Sequence, residues 1–152
     1  MKTFYAVLLN TLGSGITSAL IWFSLTIWVY IMTHSVFATS LISGSYMIAM
    51  LISGFIFGPI VDHHKKRDVM LASDIMSLVM LVLGLGIYLT TSVAHFSDPY
   101  NIDLWIFILP IFLSIIISNI RNTAMSTLVG IMIPARLRAK ANGMVGTTTG
   151  LT

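Results

Sequence analysis

Gly58-Pro59-Ile60-Val61-Asp62-His63-His64-Lys65-Lys66-Arg67-Asp68 is the densest polar run in the chain, and its surroundings decide the fold. Residues 37–61 on one side carry no charge until Asp62, and residues 69–91 on the other hold only Asp74, near their start. A helix needs roughly 20 apolar residues to cross a hydrocarbon core about 30 Å thick. Both flanks reach that length, so the run reads as a tight polar turn between two membrane-spanning helices.

The same arithmetic extends in both directions. Residues 4–33 form an uncharged apolar stretch directly after Lys2. The apolar part of a cleaved signal peptide is about 7–15 residues long; this one is too long and reads as an uncleaved span. Residues 92–103 form a polar connection with Asp98-Pro99 and neither Lys nor Arg, and residues 104–125 make a fourth span. After the basic segment Pro134 to Lys140, a small-residue apolar stretch runs over residues 141–152, too short to cross. The expected fold is all-α: a polytopic membrane helical bundle of four transmembrane helices plus the start of a fifth.

Composition agrees. Of 152 residues, 57% are hydrophobic and 9% charged, and the mean hydropathy is +0.95. A water-facing surface normally needs about 25% charged residues, so the main solvent, and the first partner, is the lipid bilayer. With no cysteine, the chain has no disulfide framework, thiolate metal site or cysteine nucleophile. The only acids are Asp62, Asp68, Asp74, Asp98 and Asp103.

A net charge of +3 would suit nucleic acid in a soluble domain. Here the cations have another pattern. Lys2, then Lys65, Lys66 and Arg67, then Arg121, Arg136, Arg138 and Lys140 all fall on one side of the membrane when four spans are threaded, and the opposite connections hold none. Basic connections stay in the cytoplasm. The expected orientation is therefore a multi-pass protein of the cell membrane with a cytoplasmic N-terminus, and no nucleic-acid partner.

Gly58, Asp62 four residues on, and the cluster ending Lys66-Arg67 resemble motif A of the major facilitator superfamily, G-x-x-x-D-R/K-x-G-R/K-R/K. His63 replaces the usual Arg or Lys and Lys65 replaces the usual Gly. The run to Asp74 is closer to the loop of the drug-exporting branch that includes macrolide-efflux-type permeases. Phe4-Tyr5, Ile16-Thr17-Ser18-Ala19, the exit from Val129 to Pro134, and Ala141-Asn142-Gly143 also look like that branch. The resemblance implies half of a two-bundle antiporter in a bacterial inner membrane, with no cofactor, the remaining half of the transporter as partner and a small molecule as cargo. Glycine in such a loop allows close helix approach, and the carboxylate suits backbone amides at a helix start. The adjacent histidines point apart and have no third ligand near in sequence, so they read as solvated loop residues and not a metal site.

The resemblance also implies that spans one and four line a central cavity. Ser114, Ser118, Arg121, Asn122 and Met125 share a face of span four, and Asn10, Ser14, Thr17, Ser24 and Trp28 lie near one face of span one. Polar stripes avoid lipid. On span one, two readings remain open, a wall for amphipathic cargo and helix packing through small residues. The pairs Gly54/Gly58 and Gly146/Gly150 read as packing sites, though the later pair lacks the Gly-Pro of an antiporter fifth span. Asp74 is expected to tie span three to its surroundings through Arg121 or Arg67. Drug exporters of the superfamily often carry an arginine near the place of Ser114; no acid sits at mid-depth in spans one, two or four either, so a coupling residue is Asp74, Asp62 or one in the missing part.

These features predict secondary active transport, a proton-driven efflux of a small amphipathic compound, by a larger protein of which this is an incomplete N-terminal part that does not transport alone. The alternative is a non-transport four-span scaffold or regulatory subunit. No nucleophile lies near His63, His64 and Asp62, and no Walker-type phosphate loop is present, so neither an enzyme nor a nucleotide-driven pump is expected.

Overall fold

The computed structural model describes residues 2–121, 123–125 and 133–150. Four long helices account for the four apolar stretches: α1 (Lys2–Thr33), α2 (Val36–His63), α3 (Lys66–Thr90) and α4 (Ile102–Ser118). A turn at Asn119 follows, and the chain is helical again at Ile120, Arg121 and residues 123–125. A last helix, α5 (Ala135–Gly150), begins inside the basic segment, six residues before the apolar stretch. All regular structure among the described residues is helical.

Local chemistry sets the joints. His34, with φ 49°, makes the sharp link between α1 and α2, and the Ser35 side chain accepts from the Ala38 amide to cap α2. Asn101 caps α4 in the same manner, accepting from the Asp103 amide. Pro59 lies within α2 and Pro110 within α4 without ending them; neighbouring helices and hydroxyl side chains re-satisfy freed carbonyls in membrane helices. The polar connection between α3 and α4 is ordered. Val93–Ser97 forms a 3-10 turn, His95 Nδ1 lies 2.7 Å from Asp103 Oδ2, and Trp105 Nε1 donates to the Pro99 carbonyl at 3.0 Å.

The apolar surface faces outward. Phe55 is 83% exposed, and Leu20, Phe23, Leu78 and Leu89 are each more than half exposed. Such a surface is stable only in lipid or under further protein. At one end of the bundle, Leu25, Val29, Ala38, Ile42, Phe96, Leu104 and Phe107 bury one another. Within this core Trp28, Tyr88, Phe96 and Phe107 form a ring cluster with centroids 4.9–6.1 Å apart. At the other end Val61, Met70 and Ala124 pack together, beside a cluster of Phe4, Met125, Ile133 and Ala141.

The most extensive helix interface is α3 on α4. A Cβ added at Gly84 would meet Ile111 Cγ1 at 2.9 Å, and the Ser77 hydroxyl donates to the Ser114 carbonyl at 3.0 Å. The G-x-x-x-G pairs behave otherwise. A Cβ at Gly54, Gly58, Gly146 or Gly150 would meet no described atom within 4 Å, so the expected packing through these glycines is not made within the described residues. Spacing alone selects glycines on one face; only a partner helix on that face makes them contacts.

Candidate functional site

A cleft of about 370 Å³ opens where α1, α2, α4 and α5 converge. Its α1 wall is Ser14, Gly15, Ser18, Ala19, Trp22 and Phe23, small residues on successive turns followed by two aromatic side chains. Across from it, Tyr46 of α2 stacks on Trp22 with ring centroids 4.2 Å apart and planes 26° from parallel. The Ser18 and Ser118 hydroxyls are 2.9 Å apart and join α1 to α4. Asn119 and Met50 close the floor, the amide Nδ2 donating to the thioether sulfur at 3.0 Å. Among the described residues, no charged side chain lines this cleft. It offers an aromatic face and a few hydroxyls, suited to a ring or apolar body with sparse polar groups.

A second groove of about 580 Å³ lies between α1, α3 and α4. Thr17, Ser24 and Trp28 fall here and not in the cleft. The Thr17 hydroxyl donates to the Gly13 carbonyl at 2.9 Å, and Trp28 belongs to the aromatic core. Asn10 is exposed and lies in neither space. Of the expected span-one stripe, the structure therefore places only Ser14 in the cleft. The stripe follows polarity, whereas the cleft face is set by small residues roughly a third of a turn further round the helix.

The span-four stripe also divides. Ser118 lines the cleft, but Ser114 is buried, donates to the Ile111 carbonyl at 2.7 Å and belongs to the α3 interface. Met125 is buried against Phe4, and Asn122 lies outside the described residues. Arg121 turns to Asp74: Nε donates to Oδ1 at 3.1 Å, and a terminal nitrogen donates to Oδ2. Its side chain is 5% exposed and that of Asp74 42% exposed. Of the two partners expected for Asp74, the structure brings in Arg121. The turn at Asn119, whose amide closes back on the Ile116 carbonyl, offsets Arg121 and Met125 from the face of Ser118. An i→i−3 turn advances faster than an α-helix and shifts the register beyond it.

The motif loop departs from its expected chemistry. Asp62 lies on the last turn of α2, not at the start of α3, and its carboxylate is 3.8 Å from Lys66 Nζ. That ammonium also donates to the Val61 and Asp62 carbonyls, satisfying the C-terminus of α2. The histidines serve the same helix end, with His63 Nδ1 2.8 Å from the Pro59 carbonyl and His64 Nδ1 3.0 Å from that of Ile60. Arg67 is exposed. Of the described residues lining the cleft, sequence reasoning found only Ser14 and Ser118; those it missed include Ser18, Trp22, Tyr46, Met50 and Asn119. The signal for α1 was its small-residue face at Ser14, Gly15, Ser18 and Ala19; nothing in the sequence marks Tyr46.

Residues 7–152 match the family model of the Major Facilitator Superfamily. The chain is 24% identical over 150 residues to an uncharacterized MFS-type transporter, YjbB of Bacillus subtilis strain 168, covering 99% of this chain and 35% of that protein. The chain thus spans about a third of the length of the curated relative it matches. No solved structure matches it. Four membrane-length helices, a polar loop between the second and third, and a family match over nearly the whole chain lead to one conclusion: the chain belongs to the major facilitator superfamily.

Proposed function

We propose that this chain supplies the first spans of a secondary active transporter that exports a small amphipathic compound in exchange for protons. The cleft between α1, α2, α4 and α5 carries the reading: Trp22 and Tyr46 present a flat aromatic wall, and Ser14, Ser18 and Ser118 supply hydroxyls beside it. Alternating access requires a second bundle rocking against the first, and the remaining part of the transporter is the partner for that motion. Asp74 is the acid placed to couple protons, because its protonation weakens the link from α3 to Arg121. The test uses everted membrane vesicles carrying the whole transporter to which this chain contributes, an imposed proton gradient and a fluorescent aromatic dye. Gradient-dependent dye accumulation, abolished by a protonophore, is expected, and Trp22→Ala weakens apparent dye affinity by about tenfold. The whole transporter present in the vesicles with no gradient-dependent movement of any dye in a panel overturns the reading in favour of a scaffold or regulatory subunit.

The proposed orientation places the N-terminus and the α2–α3 turn in the cytoplasm of a cell whose plasma membrane the helices cross. The distribution of Lys and Arg supports it. The chain has no cysteine, so single-cysteine variants give a clean topology readout. Ser97→Cys, on the α3–α4 connection, should react with a membrane-impermeant maleimide on intact cells, and Lys65→Cys only after permeabilisation. The reverse pattern sinks the orientation.

A further inference from the structure

We propose that the groove between α2 and α3, beside their basic turn, holds an acyl chain of an anionic phospholipid whose phosphate sits on that turn. The groove has a volume of about 450 Å³; Phe57 and Ile60 form one wall, Ala72 and Met76 the other, and Ile117 and Ile120 the floor. Its walls are apolar along their length, and the Ser73 hydroxyl is turned to its own helix, donating to the Met70 carbonyl at 2.8 Å. From Asp68 to Met76 the α3 wall is about 12 Å long. That is most of the roughly 15 Å of hydrocarbon in one leaflet, so the slot suits a lipid tail lying along the membrane normal.

The charge at the mouth selects the headgroup. Among the described lining residues, the ionisable ones, His64 and Asp68, lie at the turn end of the groove. Lys65 and Arg67 lie between them in sequence, and both are exposed. Lys66 is drawn inward onto the end of α2 and offsets Asp62. Asp68 is then the carboxylate at the mouth, set against two cations, and the excess favours phosphate over an ammonium headgroup. The proposed cytoplasmic placement of this turn bears only on which leaflet supplies the lipid; the headgroup preference does not depend on it.

The test is photolabelling of the protein in vesicles of phosphatidylcholine doped with either phosphatidylglycerol or phosphatidylcholine bearing a mid-chain diazirine. Peptides containing Phe57, Ile60 and Met76 should take up the phosphatidylglycerol label roughly fivefold to tenfold more than the phosphatidylcholine label. The double variant Lys65→Gln/Arg67→Gln should remove this preference, and Ala72→Phe should empty the groove while leaving the charges in place. Circular dichroism confirms that both variants stay helical. Equal labelling by the two lipids, a preference that survives loss of both cations, stronger labelling by a phosphatidylethanolamine probe, or groove peptides unlabelled by any lipid each overturn the proposal. Labelling does not require cargo movement, so its failure leaves the transport reading untouched.

Discussion

Asp74→Ala should destabilise the bundle by about 3 kcal/mol, because it strands the Arg121 guanidinium without its partner. The Arg121 side chain is 5% exposed, while that of Asp74 is 42% exposed. The two halves of this pair are therefore unequal. Removing the acid leaves a cation with no access to water, and its long stem is held by packing as well as by charge. Arg121→Leu leaves a carboxylate that is not enclosed and keeps an apolar stem in the same space. That variant should cost about 1 kcal/mol, near the value of an exposed pair. Replacing both, Asp74→Leu with Arg121→Leu, should recover most of the loss from Asp74→Ala, since an apolar pair needs no desolvation of charge. Unfolding in mixed detergent micelles, followed by tryptophan fluorescence, measures all three. Equal losses from the two single variants would sink the asymmetric account, and a double variant worse than Asp74→Ala would show that the charge itself is needed.

This pair also shows what the sequence could and could not yield. Asp74 stands out because an acid inside an apolar stretch is costly, and Arg121 was one of two cations close enough to answer it. The spans were readable for a similar reason: lipid imposes a length on every helix and a side on every cation. Neither constraint says how one helix is rotated against another. On α1, polarity selected Thr17, Ser24 and Trp28, yet these face α3 and α4, and the cleft is lined by Ser14, Gly15 and Ser18. On α4, a continuous helical face was broken by the turn at Asn119. Tyr46 became a cleft residue only through its stack on Trp22, a contact between two helices that no local pattern encodes. Arg136, Arg138 and Lys140 read as a loop because they are charged, but Lys and Arg are good helix formers. They lie on α5, with Arg138 Nε donating to the Ile133 carbonyl at 3.0 Å.

Gly84→Leu should destabilise the bundle by about 3 kcal/mol through overpacking. The glycine is buried in α3, and the first atom of any side chain there meets Ile111 Cγ1 at 2.9 Å, with Pro110 Cγ 3.8 Å away. Cγ1 is held close to the α4 backbone, so it yields less readily than the tip of a side chain. Pro110 further stiffens that wall. For Gly84→Ala two effects nearly cancel: alanine gains about 1 kcal/mol over glycine within a helix, and the clash costs about as much or somewhat more. Leucine gains nearly the same propensity but forces α3 and α4 apart, which also strains the bond from Ser77 to the Ser114 carbonyl. Gly54→Leu provides the contrast, because a Cβ there meets nothing within 4 Å and only the propensity gain remains. Ile111→Ala removes Cγ1 and should restore at least half of the stability lost in Gly84→Leu. The same micelle unfolding assay reads these differences. If Gly54→Leu proves as harmful as Gly84→Leu, or Ile111→Ala fails to rescue, then α3 and α4 are not held at the separation that their closest contact implies.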